Sequence, residues 1–311
     1  MAKIHRSDAP LPQTPSVQVK ASYTVTDLPK VSPQEPAAFY DQDNDEDYRR
    51  RETAKCKKKR SNLLYTLAMI VFAAIFLISG GLLVKRFLDD RKTESEFADL
   101  ESMIDTAATP APAGENVNPN GARFAALRDK NSDFIGWISI DGTNLDFPVM
   151  YAPDNKDFYL RHDFNKAYSV YGVPYLDEQT TLGVNAESDN LIIYGHNMKT
   201  GTIFGCLTEY RKAGYYQEHP FIEFDTVYGD AKYEVFGAFT IDVVNDTSFI
   251  YNQYIDMDED AYNRYVDQVI SRSDVDSGIR PAYGEQLLTL STCEYSSANG
   301  RYVVVARRVS D

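Results

Sequence analysis

Between Arg60 and Lys85 the chain carries 24 consecutive uncharged residues, Ser61 to Val84, dominated by Leu, Ile, Ala, Phe and Val. About 20 such residues cross the hydrocarbon core of a bilayer as one helix. A buried helix of a soluble protein would keep a polar stripe, and about six turns here offer none. A cleaved signal peptide fits less well, because its apolar part spans ~7–15 residues near the start of a chain. A single retained transmembrane helix is therefore expected. Upstream, residues 49–60 hold eight Lys or Arg against one acid, Glu52, whereas residues 85–100 hold four against five acids. Cations stay on the cytoplasmic side, so the expected arrangement is a single-pass cell-membrane protein with its N-terminus in the cytoplasm and everything after Val84 outside.

From residue 61 onward the chain has 37 acids and 20 bases, a net charge near −17. Such a surface lacks the basic face needed to neutralise phosphates, so nucleic acid is excluded as a partner. The same charge either attracts a cationic partner or serves solubility. The three cysteines imply no disulfide framework. Cys56 lies in the basic flank as a free thiol or a palmitoylation site, Cys206 reads as a small core residue, and Cys293 remains as a candidate nucleophile. No His, Cys or carboxylate spacing suggests a metal site, and no phosphate-binding glycine loop occurs, so neither metal nor cofactor is expected. The acidic run Asp41 to Asp47 fails as a calcium loop because Glu46 stands where the turn glycine is needed.

The chain divides by composition. Residues 1–60, with scattered prolines and no apolar periodicity, read as a disordered cytoplasmic tail. Residues 61–84 are the anchor. Residues 85–120 form a linker whose charged start can prolong the membrane helix, before Thr109 to Gly114 and Asn116 to Gly121 break it with Pro and Gly. Residues 121–311 are the catalytic domain. Within it, Phe124 to Lys130 reads as a short helix and eight segments read as strands: Phe134–Ile140, Leu145–Tyr151, Tyr171–Leu176, Leu191–Tyr194, Phe221–Asp225, Tyr233–Val243, Leu287–Ser291 and Tyr302–Val309. That series predicts a mainly β fold, a closed antiparallel barrel with peripheral helices. The clearest helix is Met257 to Ser271, where Tyr262, Tyr265, Val266, Val269 and Ile270 recur at helical spacing behind an acidic first turn.

Chemistry concentrates near the C-terminus. Thr289-Leu290-Ser291-Thr292-Cys293 ends one strand on a thiol, Arg301 opens the next, and Asn190 to His196 ends a third on a histidine, with Asn197 following. A nucleophile, a proton carrier and a permanent cation can thus meet on one sheet. These three segments resemble the signature of the sortases, cysteine transpeptidases of Gram-positive bacteria. Asp133 to Ile140, Gly142 to Val149 and Tyr159 to Phe164 resemble the opening of class B, so the likeness covers residues 121–311.

The resemblance implies a sortase-type barrel in which the long helix before the cysteine strand helps wall the substrate groove. It further implies that an exported protein is cleaved after Thr in an Asn-Pro-x-Thr-like C-terminal sorting signal. The acyl group then rests on Cys293 as a thioester and passes to a peptidoglycan peptide amine. His196 carries the proton, its usual pKa near 6.5 suiting both directions, and Arg301 offsets the charge of the tetrahedral oxygen. Ser291, Thr292 and Tyr194 are further candidates for lining the groove, with strand-end geometry and core packing as their alternative uses. The other histidines, His5, His162 and His219, lie outside the motif. Three rival readings stand beside this one: polymerisation of pilins on a lysine acceptor, a plain cysteine protease using water, and a non-enzymatic tethered adhesin or receptor.

Overall fold

The computed structural model describes residues 42–109, 118–184, 186–294 and 299–309. Helix α1 runs from Gln42 to Glu101 and contains the whole apolar run. Among the described residues it is the one helix long and apolar enough to cross a membrane. Its span presents Phe72, Phe76 and Leu77 outward without protein cover, consistent with a membrane-crossing helix.

The expectation of a disordered tail is amended for residues 42–60, which are helical. Asp45 pairs with Arg49 at 3.6 Å and Asp47 with Arg51 at 3.0 Å, and such i,i+4 pairs on good helix formers carry the helix upstream. The rest of the expected tail, residues 1–41, lies outside the described residues, as do 110–117 of the expected linker. The charged stretch after Lys85 stays helical and then docks on the barrel. Leu100 is buried, Phe97 meets Phe147 edge-on at 4.9 Å, and Asp90 accepts from the Tyr171 hydroxyl.

Eight strands close the barrel: β1 Phe134–Ser139, β2 Asp146–Met150, β3 Tyr175–Leu176, β4 Asn190–Gly195, β5 Phe221–Thr226, β6 Lys232–Asp242, β7 Leu287–Glu294 and β8 Gly300–Arg308. Their order around it is β1-β2-β3-β4-β7-β8-β6-β5. All eight expected strands exist. The third is shorter than expected, because Gly172 turns at φ 61° and Pro174 has no N–H to place in a ladder. The antiparallel expectation is also amended, since β2–β3 and β4–β7 are parallel. A parallel join requires a long crossover, and β4 reaches β7 only after β5, β6 and a further helix have been laid down.

Both helices expected in the domain form, and a further single-turn helix was not expected. α2 spans Ala125–Lys130, the single-turn α3 spans Tyr215–Glu218, and α4 spans Glu259–Arg272. Asp258 caps α4 by accepting from the Ala261 amide at 2.8 Å, and Arg272 closes its last turn, both favourable to the helix dipole. Because strand side chains alternate, β8 buries both faces: Tyr302, Val304 and Ala306 point into the barrel, while Val303 and Val305 point outward beneath α4. The helix lies very close to β6. A Cβ added at Gly237 would sit 2.4 Å from Cγ1 of Val269, so only glycine fits there.

Candidate active site

The alternation that packs β7 also prepares the site. Leu288 and Leu290 face the barrel core, leaving Leu287, Thr289, Ser291 and Cys293 in a row on the outer face. Polar groups buried beneath α4 need partners, and aromatic hydroxyls supply them. Tyr265 bonds Thr289 at 2.7 Å, and Thr289 donates to Asn190 at 2.8 Å. Tyr251 bonds Ser291 at 2.7 Å. Cys293 comes next in the row, half-buried, where the row runs out into a cleft of about 460 Å³.

Two neighbouring strands bring the other groups. β8 pairs antiparallel with β7 so that Arg301 lies directly opposite Cys293 and shares its face. One Arg301 nitrogen donates to the Gly300 carbonyl at 3.0 Å, fixing the guanidinium at the turn. On the other side β4 runs parallel to β7, its last rung joining Gly195 to Thr292, and His196 follows. Glycine precedes this histidine for a steric reason: a Cβ at Gly195 would lie 2.7 Å from the Phe204 ring.

His196 is half-buried, and its Nε2 lies 2.8 Å from the Leu160 carbonyl. A carbonyl only accepts, so Nε2 carries the hydrogen and Nδ1 is the nitrogen left to take or give a proton. Burial pushes the imidazole pKa below its ordinary value. The Leu160 bond opposes that and the nearby Arg161 charge adds to it. The neutral form prevails at pH 7.

Cys293, His196, Arg301, Ser291, Thr292 and Tyr194 all border this one cleft. Within it, Ser291 is buried against Tyr251, and Thr292 donates its hydroxyl to the Gly195 carbonyl at 2.7 Å. Tyr194 donates to Asp177 at 2.8 Å, and Asn252 donates to the Tyr194 oxygen at 3.4 Å. Burial drives the Tyr194 and Tyr175 phenols far above their usual range, so both remain donors. Burial raises Tyr251 too, opposed by its Ser291 bond and by the Arg301 charge.

Sequence reasoning did not find Phe249, Ile250, Tyr251, Asn252 and Asp177, which also line the cleft. These lie in connections where aromatic residues read as ordinary core, and no spacing ties them to the motif. Among the described residues no cluster of three His, Cys, Asp or Glu is placed to hold a metal.

The Sortase domain family matches residues 138–309. Sortase B of Staphylococcus aureus is 30% identical over 250 residues, covering 80% of this chain and 98% of that protein. The chain belongs to the class B sortases. Sortase B of Listeria monocytogenes is 27% identical over 259 residues, covering 81% of this sortase and 99% of the relative. The solved Staphylococcus aureus sortase B–substrate complex superposes with a TM-score of 0.61 at 28% identity, covering 72% of this chain and 99% of that one. The expected class and the closed barrel are thereby shown, and with them a transpeptidase of the sortase family.

Proposed function

We propose that this sortase anchors in the cell membrane by residues 61–84, holds its catalytic domain, residues 121–311, outside the cell, and joins exported proteins to a cell-wall amine by acyl transfer through Cys293. The observation carrying the reading is that thiol, imidazole and guanidinium, brought by three adjacent strands, border a single cleft. The flanking charges support the orientation, and residues 85–120 connect the anchor to the domain.

Nδ1 of His196 takes the thiol proton of Cys293 as the sulfur attacks the carbonyl of the Thr in an Asn-Pro-x-Thr-like signal. The C–N bond after Thr breaks, and His196 delivers a proton from Nδ1 to the departing amine. Arg301 stabilises the oxygen that becomes negative in between; removing one such donor typically costs about 2.7–4 kcal/mol. The acceptor amine then attacks the thioester, loses a proton to His196, and restores the thiol. A thioester suits this division of labour because it yields readily to an amine.

The test is to incubate the full chain in detergent with peptides bearing Asn-Pro-x-Thr-Asn or Asn-Pro-x-Thr-Gly, with and without triglycine. Ligated product that vanishes in Cys293→Ala, and drops at least about a hundredfold in Arg301→Ala, is expected. Cleavage with no ligated product would make the protein a protease. Turnover in Cys293→Ala would end the proposal.

A further inference from the structure

A polar side chain just after the histidine reaches the peptide of Cys293. The β4–β7 ladder ends at Gly195 and Thr292, because the chain beyond must turn for His196 to reach the Leu160 carbonyl. Backbone pairing therefore stops one residue short of Cys293. At that point the Asn197 side chain takes over, its Nδ2 donating to the Cys293 carbonyl at 2.8 Å. A carboxamide thus stands where the next rung would be, and it holds the peptide that bears the sulfur.

Asn197 is itself held firmly. Residues 197–203 close a tight hairpin: Asn197 bridges Ile203, the Phe204 amide donates to the His196 carbonyl at 3.0 Å, and the Gly201 amide donates to Met198 at 2.9 Å. Ile203 is buried with φ 57°, a conformation costly for a β-branched residue and kept only where its surroundings enforce it. With Thr292 bonded to Gly195, the histidine's segment and the cysteine's segment are fastened by side chains from both directions.

We propose that Asn197 is a positioning residue for acyl transfer, fastening the Cys293 peptide to the histidine-bearing end of β4 and so setting the distance from sulfur to imidazole. This rests on Cys293 and His196 acting as above. In this role the carboxamide acts through the Cys293 carbonyl. Its effect falls on the chemical step, since proton transfer and attack are far more sensitive than binding to the spacing of the reacting groups.

The experiment compares full-length wild type, Asn197→Ala and Asn197→Asp in detergent, using sorting peptide with saturating triglycine. Asn197→Asp keeps the shape but sets an acceptor against the Cys293 carbonyl. Both variants are expected to lose kcat by about tenfold or more, with KM within about twofold and unchanged melting temperature. The pH profile of iodoacetamide labelling, read at the Cys293 peptide by mass spectrometry, is expected to lose its dependence on His196. Wild-type kcat in both variants, a loss confined to KM, or a loss matching only the unfolded fraction would overturn the assignment. Cys293→Ala and His196→Ala run alongside: activity in either sinks the catalytic reading itself, whereas inactivity in both with active Asn197 variants sinks only this inference.

Discussion

The two faces of the β7–β8 wall are built from the same alternating strands yet differ in kind. Toward the barrel axis, Leu288, Leu290, Val304 and Ala306 make a surface of carbon that has no partners to find. Away from it, Thr289 and Ser291 lie buried under Tyr265 and Tyr251, each hydroxyl bonded, and the row ends on Cys293. The inner face sets register through packing volume. The outer face sets chemistry, because directional bonds there decide which groups can face the cleft.

The contrast can be broken by mutation, and the largest effect belongs to the inner face. Leu290→Ala is expected to lower stability by about 2–5 kcal/mol in denaturant melts while leaving KM of the folded enzyme unchanged. A shifted KM would show that the faces are not separable. Next is Gly237→Ala, which forces α4 off β6 at Val269 and should cost about 1–3 kcal/mol. Because Phe249 and Tyr251 belong to the layer beneath α4, this variant should also raise KM, as peptide titrations would reveal.

Smaller still is Tyr251→Phe, which deprives the buried Ser291 of its partner at a cost of about 1 kcal/mol. Its signature is a KM change out of proportion to the stability loss; the reverse pattern would place Tyr251 with the inner core. The smallest effect is electrostatic. The Arg161 charge helps hold the His196 pKa down, so Arg161→Gln lets the imidazole take a proton at higher pH. The acidic limb of kcat/KM should move upward at low salt, and less at high salt. A downward move would mean that Arg161 acts on His196 by some other route.

Much of this was legible in the sequence. Strand alternation located all eight strands, and the acidic start with Arg272 at the end located α4, because those signals are local and set by period. That Cys293, His196 and Arg301 would meet at one cleft was legible because each closes or opens an apolar run and their segments resemble the sortase signature. The parallel joins were not, since strand direction depends on which distant segments meet rather than on either one's pattern. The helix over 42–60 was missed for a different reason: its stabilising charge pairs sit inside a composition that also describes disordered chains. Phe249, Tyr251 and Asp177 carried no sign of a cleft, and Asn197 was visible only as the residue after a histidine. Its use depends on β7 arriving alongside.

The parallel seam between β4 and β7 also has a consequence in time. The Thr292 hydroxyl reaches back 97 positions to close it, and contacts of such separation form late because a long loop must be closed first. A nascent chain emerging as far as β6 already displays its imidazole, but neither the thiol of β7 nor the guanidinium of β8 has yet appeared. The cleft is thus complete only once the last two strands have closed the barrel.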